Sequence, residues 1–166
     1  MVPPRAFRQD TDGHTTAPET ETTVTDLPVD ERIGHHVKRA EQHLIAAKHA
    51  AVQEFGLTVS QYTVLLVLST EPGLTGAALA RRCLVTPQTM STVLATMERV
   101  GLVERLPHPT HQHVLETRLT PLGRGRLRQA DRAAVAVERR LSELFTPDEQ
   151  KAFVEYLGRC STALEQ

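Results

Sequence analysis

A mainly α fold with one small β-hairpin is predicted by three observations. First, residues 74–120 read as a short helix, a turn, a second helix opening Thr86-Pro87-Gln88-Thr89-Met90-Ser91, and then two short apolar runs joined by a histidine-rich loop. Second, the segments on either side repeat apolar residues in a heptad pattern. Third, 40 % of the 166 residues are hydrophobic but only 4 % aromatic, with no Trp. Ala, Leu and Val must therefore fill the core, which suits helix packing. The layout is that of a winged helix-turn-helix flanked by N- and C-terminal dimerisation helices, a device that seats one helix in a DNA major groove.

Taken in order, residues 1–28 are rich in Thr, Pro and acids and have few apolar anchors. Such a segment buries too little surface to offset its ordering entropy, so it is expected to be a disordered tail. Residues 29–166 form the folded domain, with 29–56 and 121–166 as dimerisation helices and 57–120 as the winged helix-turn-helix. Asp30 is expected to cap a long helix to about Phe55. Its apolar positions Ile33, Val37, Ala40, Leu44, Ala47 and Ala51 keep a period of 3.5, and Gly56 ends it. Ser60 is expected to cap a second helix over 61–69, apolar nearly all round and hence central. Pro72-Gly73 breaks it.

Thr75 caps a short helix over 76–83, and Leu84-Val85 makes the turn. Thr86 caps the next helix with Pro87 at its first position, where the missing N–H costs nothing. Gly101 stops that helix. Residues 102–106 and 113–119 pair as a hairpin around Pro107-His108-Pro109-Thr110-His111-Gln112. Thr120-Pro121 opens another helix, with Leu127, Ala130, Ala134, Val137, Leu141 and Leu144 on one stripe. Thr146-Pro147-Asp148-Glu149 is a capping box for the last helix, where Phe153, Leu157, Cys160 and Leu164 repeat at heptad spacing. Seams of this kind left wet would be costly, so a second copy of the chain is the expected cover.

Net charge is −1, but the distribution is uneven. Residues 1–31 hold seven acids and two arginines, whereas 75–120 hold five arginines and three acids. The reading segment is thus mildly basic. The longest apolar run, Val64-Leu65-Leu66-Val67-Leu68, is far short of the ~20 residues that span a bilayer. No secretory signal follows Met1, and two cysteines make no disulfide framework. A cytoplasmic location and no membrane partner are expected.

Leu79-Ala80-Arg81-Arg82, the Thr86–Ser91 hexapeptide, Gly101-Leu102-Val103-Glu104-Arg105 and Leu119-Thr120-Pro121-Leu122-Gly123 together resemble the MarR family of transcriptional regulators over about residues 30–166. The resemblance implies a homodimeric winged-helix protein, usually a repressor, that binds a pseudo-palindromic operator and releases it when a small molecule or oxidant acts. The chain departs from the family at the wing. Many members carry an acid and an arginine there, but this loop offers only histidines, Gln112 and Thr110, with His113 or Gln112 where the arginine would stand. Minor-groove attraction should be weaker and more dependent on pH.

Within that frame Gln88 is the expected base reader, since its amide pairs bidentately with adenine. Thr86, Pro87, Thr89, Ser91 and Thr92 supply hydroxyls and methyls to bases or phosphates. Thr75 and Arg82 are assigned to phosphates, and His111, Gln112 and His113 to the wing contact. Met90, Val93, Leu94 and Met97 fall on the opposite stripe and belong to the core. In relatives the effector cleft lies between the dimer helices and the reading domain. His36, Arg39 and Tyr62 are the candidates there for a small aromatic or anionic effector, against a plainer reading as surface or interface polar residues. A metal-sensing alternative uses His108, His111 and His113, but lacks Cys or carboxylate partners, so no metal or other cofactor is assigned. Redox sensing would need a reactive thiol, and Cys83 and Cys160 read better as small core residues. No catalytic constellation is present, which argues against an enzyme. A winged-helix module for protein–protein contact is the rival from another class. It would want an apolar or acidic face on the helix after Thr86, and Gln88, Thr89, Ser91 and Thr92 give it neither.

Overall fold

The computed structural model describes residues 26–107 and 113–165. A 3-10 turn over Val29–Glu31 leads into α1 (Ile33–Gln53), α2 (Val59–Thr70), β1 (Leu74–Thr75), α3 (Gly76–Arg82), α4 (Pro87–Arg99), β2 (Val103–Pro107), β3 (Leu115–Leu119), α5 (Pro121–Ser142) and α6 (Pro147–Leu164). The expected disordered tail, up to residue 25, lies outside the described residues.

Hydroxyl caps set most of the helix starts. Thr75, Thr86, Thr120 and Thr146 each accept a backbone N–H three residues on, and Pro87, Pro121 and Pro147 follow three of them. Two expected caps are corrected. Asp30 does not cap α1: it sits inside the 3-10 turn, too early to reach the first free amides of the helix. No side chain caps α1. His36 Nε2 instead donates to the Asp30 carbonyl at 2.7 Å. Ser60 does not cap α2 either. Thr58 does, through a reciprocal capping box with Gln61, which leaves Ser60 inside the first turn.

The sheet has three strands in the order β1-β3-β2, all antiparallel, with Val103 opposite Leu119 and Pro107 opposite Leu115. The third strand, β1, was not expected. Two residues carry no periodicity, and Leu74 and Thr75 become a strand only because Thr117 and Glu116 lie beside them.

The core gathers around α2. Val64, Leu65 and Leu68 meet Leu79 of α3, Met90, Leu94 and Met97 of α4, Val103 of β2 and Leu127, Ala130 and Ala134 of α5. Two backbone features lock the reading unit to α5. Thr120 Oγ1 donates to the Gly101 carbonyl at 2.6 Å while accepting the Gly123 N–H. Gly123 packs so tightly that a Cβ there would lie 2.0 Å from the Leu102 carbonyl oxygen. Outside this core the picture changes. No residue of α6 is buried, and Val52 alone is buried in α1. Cys160, expected as a core residue, is exposed, because the seam it belongs to faces away from the rest of the chain. No helix among the described residues is long and apolar enough to cross a membrane.

Candidate nucleic-acid interface

The geometry of α4 follows from its apolar positions. Met90, Leu94 and Met97, spaced 4 and 3, are buried against α2 and α3, and Val93 is half-buried. The opposite face must then point outward. Pro87, Gln88, Thr89, Ser91 and Thr92 are all exposed at its N-terminal end. Among the described residues the Gln88 amide and the Ser91 hydroxyl engage no partner, so their donors and acceptors remain free. Thr86 and Thr89 are more committed. Thr86 Oγ1 accepts the Thr89 N–H at 3.1 Å, and the two hydroxyls lie 2.9 Å apart. Thr92 Oγ1 donates to the Gln88 carbonyl at 3.3 Å, which leaves its methyl and lone pairs outward. The helix N-terminus itself presents unpaired amides and the positive end of its dipole.

The other expected contacts flank this face. Thr75 Oγ1 accepts the Ala78 N–H at 3.2 Å, so its own O–H stays available as a donor, which is the half that a phosphate needs. Arg82 is exposed but forked onto Glu71, with Nε 3.1 Å from Oε2 and a second guanidinium nitrogen on Oε1. Its charge is therefore offset by a carboxylate at the mouth of the helix-turn-helix. His113 is exposed just before β3, while His111 and Gln112, like His108, lie outside the described residues. Among the described residues no three metal-ligating side chains converge.

The three residues assigned to an effector lie on two different parts of the fold. His36 and Arg39 adjoin one another on the exposed start of α1, with a guanidinium nitrogen 3.3 Å from His36 Nδ1. Tyr62 is buried, and its hydroxyl donates to Asp131 Oδ1 at 2.8 Å. Burial, then that hydrogen bond and the nearby carboxylates of Asp131 and Glu138, push its hydroxyl far above the usual tyrosine range. Burial likewise raises the Cys83 thiol, which makes it a poor nucleophile.

The structure adds residues that sequence reading missed. Arg118 of β3 and Arg124 and Arg128 of α5 converge on a groove of about 590 Å³ floored by Leu68, Leu119 and Leu127. Arg118 is paired with Glu116 at 2.8 Å and Arg124 donates to the Leu119 carbonyl, while Glu104, the cross-strand neighbour of Arg118, lines the same groove. The i, i+4 spacing of Arg124 and Arg128 was the available signal. Arg118 joins them only through the strand register.

Against this geometry, a family model described as MarR family matches residues 55–112. The HTH-type transcriptional repressor Rv2887 of Mycobacterium tuberculosis is 34 % identical over 133 residues, covering 80 % of this chain and 96 % of its own length. The chain belongs to the MarR family. Solved MarR-type structures have the same fold. The transcriptional repressor CouR, bound to a 23-mer DNA duplex, matches with a TM-score of 0.73 and 26 % identity over 82 % of this chain and 99 % of that one. The Mycobacterium tuberculosis MarR family protein Rv2887 in complex with p-aminosalicylic acid matches with a TM-score of 0.62 and 32 % identity over 78 % and 98 %. The expected fold, a winged helix-turn-helix with long terminal helices, is thus that of MarR regulators.

Proposed function

We propose that this MarR-family chain is a homodimeric, DNA-binding transcriptional repressor that a small aromatic acid releases from a pseudo-palindromic operator. The observation that carries the reading is the outward face of α4. It is anchored by Met90, Leu94 and Met97, and its Gln88 and Ser91 donors and acceptors are unspent. Gln88 reads a base edge, and Thr86, Pro87, Thr89, Ser91 and Thr92 set register and touch thymine methyls. Thr75 and, once freed from Glu71, Arg82 hold phosphates, with His111, Gln112 and His113 on the wing. The terminal helices pair two chains so that the two α4 helices lie about one turn of DNA apart, ~34–36 Å. The names of the relatives, a repressor and a repressor on DNA, support the same reading. The work is regulation in the cytoplasm rather than catalysis.

Two places offer a cation to an aromatic carboxylate. His36 and Arg39 stand on an open helix surface, and Tyr62 has already given its hydroxyl to Asp131. The groove at Arg128 combines a guanidinium with a leucine floor, the pairing that an aromatic acid needs. Complexes of the Rv2887 relative with p-aminosalicylic acid favour that ligand class.

A mobility-shift titration on the DNA upstream of the chain's own gene tests the reading. A sequence-selective, salt-sensitive shift is expected, and Gln88→Ala should reduce discrimination by about 1–3 kcal/mol. No selective shift sinks the proposal. Salicylate should weaken the shift, and Arg128→Gln should remove that response while Arg39→Gln retains it. The reverse pattern returns the effector to α1.

A further inference from the structure

Among the described elements α5 is the most cationic, with six arginines against two acids, Asp131 and Glu138. Both acids are engaged elsewhere. Asp131 accepts the Tyr62 hydroxyl at 2.8 Å, and Glu138 pairs with Lys48 of α1. At 3.6 residues per turn, Arg124, Arg128, Arg132 and Arg139 fall within an arc of about 80°. The buried positions Gly123, Leu127, Ala130 and Ala134 lie on another flank, so the four arginines form one exposed stripe. It is about 22 Å long at the helical rise of 1.5 Å per residue. None of the four is ion-paired among the described residues. Arg124 donates to the Leu119 carbonyl, which carries no charge. Like charges four residues apart on a helix destabilise it, so the stripe is short of anions.

The sequence holds a stretch of complementary charge. Residues 10–26 carry Asp10, Asp12, Glu19, Glu21 and Asp26, and neither Lys nor Arg. Four of these acids come as pairs two residues apart, which in an extended chain project to the same side about 6.6 Å apart. Arginines four apart on a helix stand about 6 Å apart along its axis. The point where the stretch joins the fold also fits. Helices α1 and α5 run antiparallel, since Lys48 meets Glu138 and Ala40 shares a groove with Leu144. The start of α1 therefore lies by the C-terminal end of α5. A chain running back from Asp26 along α5 meets Arg139 first and Arg124 last. Residues 10–26 span up to about 53 Å when extended, more than the length of the stripe.

We propose that the acidic segment 10–26 lies along the arginine stripe of α5 in its own chain and closes that stripe to other polyanions. Tethering favours this occupant. A segment joined to the same fold is present at an effective concentration of about a millimolar, so it outcompetes free anionic chains of equal affinity. The stripe belongs to a different helix from the reading face, so this docking stands apart from DNA reading by α4.

The chain has no Trp, so His14→Trp gives a single fluorescent reporter between the two acidic pairs. Its quenching by acrylamide should be suppressed in dilute buffer and rise about twofold in 1 M salt, where charges are screened beyond about 3 Å. Arg132→Glu with Arg139→Glu should give the same rise without salt. Both side chains are exposed, so the fold does not depend on them. Adding Glu19→Lys with Glu21→Lys to that variant should restore the suppression. Quenching that ignores both salt and the reversal overturns the proposal, as does a charge swap that restores nothing. Suppression that grows with protein concentration places the segment on another copy and overturns the intrachain docking. If duplex phosphates hold the stripe instead, reversing Arg132 and Arg139 lowers the salt slope of the DNA shift by about two and leaves the quenching unchanged, which also overturns it. The quenching contains no DNA, so its failure is distinct from failure of the repressor reading. Closure is read on immobilised heparin. Glu19→Gln with Glu21→Gln should raise the eluting salt concentration for the unaltered stripe and not once Arg132 and Arg139 are reversed. An equal rise in both overturns the closure.

Discussion

The reading unit and the terminal helices of this chain are both strongly apolar in sequence, yet they spend that apolarity differently. Around α2 the large side chains Leu65, Leu79, Met90, Leu94 and Met97 are at most 1 % exposed. On α6, Phe153, Val154, Tyr156 and Leu157 are 38–69 % exposed, although their spacing is just as regular. The difference separates two uses of one pattern. Three helices and a sheet converge on the first stripe within one chain, so it is satisfied there. The second finds only the start of its own helix turn, where Phe153 stacks on Phe145 at 5.3 Å between ring centroids. A self-sufficient reader is thus attached to helices whose apolar stripe stays uncovered within one chain.

The sharpest way to break this contrast is at Gly123, where the two regions are joined. A methyl at that position meets a backbone carbonyl, not a movable side chain, so either α5 or the strand start at Leu102 must shift. Gly123→Ala should destabilise the reading unit by on the order of 4 kcal/mol, at the upper end for a single substitution. Thermal unfolding by circular dichroism measures it. A change within about 0.5 kcal/mol would mean the junction is looser than its geometry implies.

On the other side of the comparison, Leu157→Asp places a charge on the exposed stripe of α6. It should cost the pairing of two chains about 3 kcal/mol while leaving the reader's own unfolding almost unchanged. Sedimentation at micromolar concentration should then report a particle near the 18.4 kDa of one chain. If the unaltered chain already sediments at that mass, the assignment of α1, α5 and α6 to dimerisation fails.

Tyr62→Phe probes the seam between the regions with a smaller effect. The hydroxyl bridges α2 to Asp131 of α5, and its loss leaves a half-buried carboxylate one donor short. About 1.5 kcal/mol should be lost, as is usual for a hydrogen bond to a charged group. Because the raised Tyr62 pKa keeps the donor protonated in the folded state, this contribution is fully present below the ordinary tyrosine pKa. It is lost only as pH rises toward the folded value. A full loss between pH 7 and 9, below the ordinary tyrosine pKa, would contradict the assignment.

How much of this was legible in sequence follows the same division. Local signals worked where a hydroxyl cap and a proline coincide: Thr86-Pro87, Thr120-Pro121 and the Thr146–Glu149 box each start a helix as written, whereas the lone acid Asp30 does not. The 3.6-residue stripe of α4 separated Met90 from Gln88 correctly. Where two signals competed, the reciprocal pair Thr58–Gln61 outbid the lone serine at 60, because two satisfied amides outweigh one. What stayed hidden depends on contacts distant in sequence. β1 exists only beside β3, Arg118 reaches Arg124 and Arg128 only through strand register, and Glu71 finds Arg82 only after the turn at Pro72-Gly73. Cys160 was misplaced for a related reason: a seam is visible in sequence, but not whether its partner lies in the same chain.

The smallest expected effect lies at the start of α6, which has no buried residue to hold it in the single chain. Its N-terminus depends on the box in which Thr146 accepts the Glu149 N–H and Glu149 Oε2 accepts the Thr146 N–H at 2.8 Å. Those hydrogen bonds from the Thr146 backbone and then its hydroxyl hold the Glu149 carboxyl below its ordinary pKa. A depressed folded pKa contributes stability above the unfolded value and loses it as pH falls through the folded one. Acidifying from pH 7 through the carboxylate range should therefore fray the first turn of α6, and Glu149→Ala should abolish that step at every pH. The reading unit, whose caps at Thr75, Thr86 and Thr120 use hydroxyls alone, should not share the transition. Amide hydrogen exchange at residues 148–150 against residues 88–90 separates the two. Equal acid sensitivity in both helices would sink the role given to the Glu149 carboxylate.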